Sequence, residues 1–219
     1  NQMGQKEAVT LKIGKEKPIE MNFSPEKYTG KKNQIVYEGS KVSSSLMPIT
    51  VQKSTPGFMF ASANWQFSTE ELPTEEVGDF LNVSRKYFLV TRAKKEVVLK
   101  PLAEGAQVQV GDEVEVHISL RSKSPVGYVH LRDPRGAGFE PVDATSKHKW
   151  DLGLYWYEEI RDSGINFFFE QLPQGEYNFR YRVRAATAGV FKVSPATVQP
   201  MYAPEFAAYS SGLKLIIKQ

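Results

Sequence analysis

The side chains that could bind a metal ion are few and widely spaced in this chain of 219 residues. The histidines are His117, His130 and His148, which are 13 and 18 residues apart. A zinc site needs three or four converging ligands and usually contains a pair at short spacing. Alternation places His117 on the polar face of its segment and places His130 opposite Val129 and Leu131. We therefore predict no metal site and no other cofactor.

Several carboxylates in the C-terminal half could act in proton transfer. A glycosidase would need two of them facing each other across a cleft. The chain contains no Gly-x-Ser-x-Gly turn, no phosphate-binding glycine loop and no His-Glu-x-x-His segment. We therefore predict a protein that is not an enzyme. The carboxylates considered are Asp133, Glu140, Asp143, Glu158, Glu159 and Asp162.

Composition excludes several other classes. The net charge is only +3, and basic residues are scattered among acids, which argues against nucleic-acid binding. The chain has no cysteine, so disulfides, thiolate metal sites and a cysteine nucleophile are excluded within it. No signal peptide or transmembrane run is present. The start at Asn1 suggests a piece of a longer polypeptide.

An aromatic cluster surrounds Trp150 and Trp156. Tyr155 and Tyr157 lie on one face of the intervening segment, and Trp156 lies on the other. Exposed members would make rigid anchors for a neighbouring domain or a sugar, whereas buried members would fill the core. We expect one face to be buried and the other to contact a neighbour.

Period-two alternation dominates the chain and predicts half-buried β-strands. Two clear examples are the segments 114–120 and 179–184, in which valine, isoleucine, leucine or aromatic residues alternate with polar ones. In the second segment Arg180, Arg182 and Arg184 share a face. They predict either an anion-binding ladder or ion pairs with acids on the next strand. Turn signals separate such segments, which favours an all-β chain of antiparallel sandwiches.

Helix evidence is poor, and an acidic, apolar-poor stretch divides the chain. The segment 69–76 contains Pro73, which interrupts a helix. We predict two β-sandwich domains in tandem: a smaller one at residues 1–75 and a larger one at 84–219, with a linker at 76–83.

The order of short motifs in the second domain resembles the C-terminal end of the bacterial alpha-2-macroglobulin family, which consists of large protease traps. The smaller domain resembles the family's CUB-type β-domain where the chain returns from the thioester domain, through Val9–Gly14 and Phe58–Phe67. The motifs of the larger domain are Tyr128-Val-His-Leu-Arg-Asp133, Gly138-Phe-Glu-Pro141, Leu172-Pro-Gln-Gly-Glu-Tyr177 and Met201-Tyr-Ala-Pro-Glu-Phe206.

The resemblance implies a part in a protease inhibitor rather than a complete trap. In the family, the terminal domain packs over a reactive thioester and keeps water from it, and Met201 and Tyr202 are the candidates for that role here. Alternatively, Tyr202 caps its own sandwich through its hydroxyl. The implied partners are the thioester domain of a parent chain and, through that parent, target proteases. The implied location is periplasmic or at the cell surface, and the implied state is a monomer.

A second class stays open, namely an adhesion or carbohydrate-binding module. Trp150 and Trp156 are its candidate contact residues, because aromatic platforms on tandem sandwiches suit cell-surface proteins.

Overall fold

A computed structural model describes residues 7–23, 34–56, 59, 61–63, 71–93, 96–151 and 153–219. Within them every long element is a β-strand, which confirms the all-β prediction, and no helix is long and apolar enough to cross a membrane. The strands are β1 (Glu7–Ile13), β2 (Ile19–Phe23), β3 (Ile49–Lys53), β4 (Leu81–Ala93), β5 (Glu96–Leu102), β6 (Gln107–Gln109), β7 (Glu113–Ser122), β8 (Val126–Pro134), β9 (Phe139–Pro141), β10 (Lys147–Asp151), β11 (Leu154–Arg161), β12 (Gly164–Leu172), β13 (Gly175–Ala185), β14 (Gly189–Val193), β15 (Thr197–Pro200), β16 (Ala208–Tyr209) and β17 (Leu213–Lys218).

The chain divides into two compact units, residues 1–63 and 64–219. In the first unit β1 lies between β2 and β3 in an antiparallel sheet. Among the described residues its buried apolar side chains are Val9, Ile13 and Leu46. Gly14 follows β1 with a positive φ, and a Cβ there would overlap the Ser45 carbonyl oxygen, so only glycine fits.

The Phe58–Phe67 segment contributes no strand where it is described. Residues 59 and 61–63 have no regular structure, and the rest of that segment lies outside the described residues.

The predicted linker at 76–83 differs from the structure at its C-terminal end. β4 begins at Leu81, and both Leu81 and Val83 are buried in the core of the second unit. Val77 already forms a β-bridge with Tyr209. Leu81 and Val83 alternate with Asn82 and Ser84, so residues 81–83 belong to the strand rather than to a linker.

The second unit is a sandwich of two main sheets. One has the order β10-β11-β12-β8-β15-β16, and the other has the order β5-β4-β7-β13-β9. Val114, Val116, Ile118 and Leu120 of β7 are buried, as their alternation predicts, because each points into the space between the sheets. From the opposite sheet, apolar side chains of β8 and β12 join the same cluster: Val129, Leu131, Ile165, Phe167 and Phe169.

A third, smaller sheet completes the second unit. β14 pairs with β17 in antiparallel fashion, and β17 pairs with β6 in parallel. Leu215 and Ile217 of β17 are buried in the common core, as the alternation around Lys214 predicts.

Four side chains form a polar cluster inside the sandwich. The Arg85 guanidinium of β4 donates to the Asp133 carboxylate of β8, and both side chains are almost fully buried. The Tyr181 hydroxyl of β13 donates to the other Asp133 oxygen at 2.6 Å. The Arg85 guanidinium also lies 5.2 Å from the centre of the Tyr87 ring. The cluster therefore joins the two sheets across the core. One carboxylate oxygen accepts from Arg85 and the other from Tyr181, and both donors belong to the five-stranded sheet.

Burial controls the protonation of the two phenols in this cluster. Burial first, and then the Asp133 charge, raise the pKa of Tyr181 well above its usual value. The same two causes raise the pKa of Tyr87. Both phenols therefore stay protonated in the folded protein under alkaline conditions in which an unfolded chain would ionise them.

Replacing Asp133 by alanine removes the counter-charge of Arg85. We expect the free energy of unfolding to fall by about 3–5 kcal/mol, because an unpaired guanidinium stays in the interior. Urea denaturation measures the loss. Glu176→Ala is the control, since Glu176 pairs with Arg121 on the exposed surface and should matter little. Equal urea midpoints for the two variants would contradict the role given to the buried pair.

The phenols predict a specific alkaline instability. Because both folded-state pKa values are raised, their contribution to stability is fully present below the unfolded value of about 10 and is lost as the pH rises above it. Each group should lower the free energy of unfolding by about 1.4 kcal/mol per pH unit in that range. Urea titrations between about pH 8 and 11 measure the slope. Tyr181→Phe should reduce the slope, and an unchanged slope would show that Tyr181 ionises freely in the folded protein.

Candidate functional site

Met201 and Tyr202 occupy a turn that follows β15 and projects from the sandwich. Their side chains are 57% and 82% exposed. β15 ends at Pro200, which has no N–H to continue the ladder, and Pro204 opens a short 3-10 turn, so the loop is fixed at both ends. Within the part of the chain that the structure describes, the exposed Tyr202 hydroxyl has no hydrogen-bond partner, and so it does not cap the sandwich.

Tyr128 contacts this loop through one backbone hydrogen bond and one ring contact. The Met201 N–H donates to the Tyr128 carbonyl oxygen at 2.8 Å. The Tyr202 ring meets the Tyr128 ring edge-on, with 5.3 Å between the ring centres. Among the described non-glycine residues Tyr128 alone has a positive φ, 52°. A left-handed conformation costs a non-glycine residue about 1–2 kcal/mol, and such strain tends to be kept where it serves a site.

The sequence gives Tyr128 no separate role, although this residue begins the Tyr128–Asp133 motif. The only local signal is the preceding Gly127, which follows Pro125 and Val126 and marks a possible irregularity in the strand. A positive φ at a tyrosine has no signature in composition or periodicity.

A row of aromatic and imidazole rings crosses the outer face of the six-stranded sheet. The row runs over β10, β11, β12 and β8 through His148, Tyr157, Phe168 and His130, which are register neighbours. The Phe168 and His130 rings are stacked, with centres 4.7 Å apart and planes 3° from parallel. The Tyr157 ring lies 4.8 Å from the His148 ring and 6.4 Å from the Phe168 ring. We call these four residues the aromatic row.

Trp150 and Tyr155 extend the aromatic row at the sheet edge. Trp150 is 70% exposed and Tyr155 is 47% exposed. The Tyr155 ring stacks on His148 at 5.3 Å, and the Trp150 ring lies 6.4 Å from Tyr155. Trp156 points the other way, is 8% exposed and meets Phe179 in the core. Burial in the sandwich therefore removes Trp156 from any surface platform, while Trp150 stays available.

A polar chain fixes the far end of the aromatic row. The Asn166 amide nitrogen donates to Glu159 at 3.0 Å, so its carbonyl oxygen faces His130 at 2.9 Å. Because that oxygen can only accept, the His130 Nε2 carries the hydrogen. Arg161 pairs with Glu159, and its hydrogen bond lowers the pKa of that carboxyl group. This series of hydrogen bonds thus orients the His130 ring against Phe168.

The other residues with potential chemistry do not converge. Among the described residues no three His, Cys, Asp or Glu side chains are arranged to hold a metal ion. His117 lies on the five-stranded sheet, where it contacts Glu115 at 2.8 Å. Asp133 is committed to Arg85, and Glu158 is committed to Lys149 at 2.7 Å.

Two arginine residues of β13 form ion pairs with acids on the next strand, which is the second of the two predicted alternatives. Arg182 donates to Glu115 at 2.8 Å, and Arg184 donates to Glu113 at 2.9 Å. Both acids lie on the neighbouring strand β7. These ion pairs occupy two of the three guanidinium groups.

Residues 81–205, more than half of the chain, match the family model described as the bacterial alpha-2-macroglobulin MG10 domain. The sandwich of the second unit is therefore a macroglobulin-like domain. The chain belongs to the bacterial alpha-2-macroglobulin family, a protease-inhibitor family, which confirms the resemblance stated above.

Two curated relatives match most of the chain. The alpha-2-macroglobulin homolog of Nostoc sp. is 25% identical over 210 residues, which are 88% of this chain and 11% of the relative. The circularly permutated Ras protein 2 of Dictyostelium discoideum is 26% identical over 167 residues, which are 76% of this chain and 4% of the relative. The chain thus spans only a small part of either relative.

Solved structures share the fold at low sequence identity. A tyrosine-to-glycine mutant of Salmonella alpha-2-macroglobulin matches with a TM-score of 0.52 and 14% identity, covering 97% of this chain and 13% of that one. Trypsin-activated alpha-2-macroglobulin from Escherichia coli matches with a TM-score of 0.52 and 15% identity, covering 98% of this chain and 14% of that one.

The strain at Tyr128 can be measured by comparing glycine substitutions. Tyr128 and Tyr155 are similarly exposed, but only Tyr128 has a positive φ. Tyr128→Gly relieves a left-handed conformation, so we expect it to cost at least about 1 kcal/mol less stability than Tyr155→Gly. Urea denaturation of both variants gives the comparison. Equal losses would mean that Tyr128 is unstrained in solution.

Proposed function

We propose that this chain supplies the C-terminal domains of a bacterial alpha-2-macroglobulin-like endopeptidase inhibitor, in which Met201 and Tyr202 shield the thioester region. The observation that supports this role most is the exposed Tyr202 side chain, fixed between two prolines and braced by Tyr128. A large aromatic side chain presented rigidly to solvent is suited to cover a reactive bond on a neighbour and exclude water from it. The role is one of contact, not catalysis.

The smaller unit fits the returning half of a CUB-type domain, for which we propose residues 1–75. Its sheet has β2 and β3 as outer strands, and few apolar side chains are buried among its described residues. Met47 and Ile49 are exposed. So small a core rarely supports an independent domain, and a complementary half from the parent chain would cover such side chains.

The proposed mechanism depends on a difference in contacts between two states of the parent. Before activation the terminal domain packs over the thioester; after cleavage of the bait region it moves away and allows covalent capture of a protease. A ligand or cut can shift such an equilibrium only by the difference in contact free energy between the states. The parent would act in the periplasm or at the cell surface as a monomer, and its partners would be its own thioester domain and target proteases.

One observation favours the adhesion or carbohydrate-binding alternative. Trp150 is highly exposed beside Tyr155, as a sugar-stacking platform requires. Binding of the isolated chain to a glycan array, lost in Trp150→Ala, would support that alternative, whereas Trp156→Ala could act only through the core. Absence of glycan binding would contradict that alternative and leave contact with a neighbouring domain as the role expected of Trp150.

The shielding role predicts faster attack on the thioester when Tyr202 is truncated. A structure of Salmonella alpha-2-macroglobulin reacted with methylamine indicates a suitable probe. In a parent chain with an intact thioester, we expect Tyr202→Ala to increase the rate of methylamine reaction about tenfold or more, equivalent to about 1.4 kcal/mol of lost shielding. Thiol release measures the rate. Tyr209→Ala is the matched control, because Tyr209 is an exposed tyrosine outside this loop; equal rates for both variants and the unmodified parent would rule out the lid.

A further inference from the structure

A groove of about 160 Å³ opens on the outer face of the six-stranded sheet, between the aromatic row and Met201. Tyr128 and Met201 line one side, and Tyr155 and Tyr157 line the other. Phe168 and Glu170 of β12 lie between them. The proposed shielding role uses Met201 and Tyr202. Met201 also lines this groove, but that role gives no function to the rest of the lining.

Glu170 introduces a carboxylate into a lining that consists otherwise of aromatic, imidazole and aliphatic side chains. It is two residues beyond Phe168 on β12, so both side chains stand on the same outer face. Glu170 is exposed, and within the described part of the chain its carboxylate has no ion-pair or hydrogen-bond partner. No lysine or arginine lines the groove among the described residues. The Glu170 carboxylate therefore lies beside aromatic rings, with no basic side chain in the groove to balance its charge.

This composition selects for one chemical class. Aromatic rings attract organic cations through the ring quadrupole, and a nearby carboxylate adds a direct charge interaction. Anions would be repelled by Glu170, and an uncharged sugar could only donate hydrogen bonds to it, without the charge interaction that a cation gains. A cavity of about 150 Å³ holds one benzene-sized molecule, so a groove of this volume accommodates a single small head group rather than a sugar chain.

The walls are also held in place before any ligand enters. The planes of the His148 and Tyr155 rings are 8° from parallel, and the Met201 N–H donates a hydrogen bond to the Tyr128 carbonyl oxygen. Ordered walls reduce the entropy lost on binding. We propose that this groove binds an alkylammonium group, a positively charged nitrogen on a short aliphatic stem, with the aromatic rings around the cation and Glu170 as its counter-charge.

Choline is the probe for this proposal, and 3,3-dimethylbutan-1-ol is its uncharged isostere. The 219-residue chain, labelled at its methionine methyl groups, is titrated with each compound at neutral pH and low salt. We expect the Met201 methyl resonance, assigned with Met201→Leu, to shift with choline and to saturate in the millimolar range. The isostere should bind at least about fivefold more weakly. Binding of choline should also weaken as salt is added.

Two substitutions locate the binding. Glu170→Gln removes the counter-charge without changing size and should weaken choline binding about fivefold, while Glu140→Gln, on the five-stranded sheet, should leave it unchanged. Tyr155→Leu should weaken it about two- to fivefold through loss of one ring. Equal binding of choline and its isostere would show that the groove does not select for positive charge, and this would overturn the proposal. Absence of saturable choline binding would overturn it as well. The titration does not depend on a thioester, so its failure is separate from failure of the shielding role.

Discussion

The buried pair of Arg85 and Asp133 constrains the whole sandwich, because two unlike charges removed from water must meet. Arg85 comes from the five-stranded sheet and Asp133 from the six-stranded sheet, and the two residues are 48 positions apart in the chain. A slip of one residue in β8 would turn Asp133 outwards and leave the guanidinium unpaired in the core. The pair thus fixes the register of β8. The opposite end of the same strand carries Tyr128, so the same constraint sets the position of the loop that Tyr128 supports.

The fold could largely be predicted, because burial imposes a local pattern. β7 and β13 alternate so regularly that their faces follow from the sequence, and Trp156 falls opposite Tyr155 and Tyr157 for the same reason. The pairing of Asp133 could not be predicted. A carboxylate at a strand end looks the same whether it serves a catalytic site or an ion pair, and its partners are distant in sequence. The conformation of Tyr128 is hidden likewise, since it depends on tertiary contacts that hold a strained residue in place.

The aromatic residues of this surface fall into two groups: one stabilises the sheet, and the other remains largely exposed. Cross-strand pairs such as Tyr157 with Phe168, and Phe168 with His130, stabilise their own sheet, so their presence needs no partner. Trp150 and Tyr202 gain little from the fold, because most of each side chain remains in water. Each has a partly exposed aromatic neighbour, Tyr155 for Trp150 and Tyr128 for Tyr202, and clustered apolar side chains at the surface are typical of contact sites. The case for a contact function therefore depends on these two residues and on the groove between them, not on the number of aromatic residues.

Rigid presentation connects the strain at Tyr128 to the proposed mechanism. If the loop at Met201 and Tyr202 were flexible, docking onto a neighbouring domain would have to order it, and the entropy lost would weaken the resting state. The prolines on either side and the Tyr128 contact order the loop in advance. The left-handed conformation of Tyr128 costs about 1–2 kcal/mol. Ordering several flexible side chains on docking would instead cost about 0.5–1.5 kcal/mol for each side chain. On this balance, strain at Tyr128 would favour the proposed docking, because Tyr202 is already ordered before it meets a neighbouring domain.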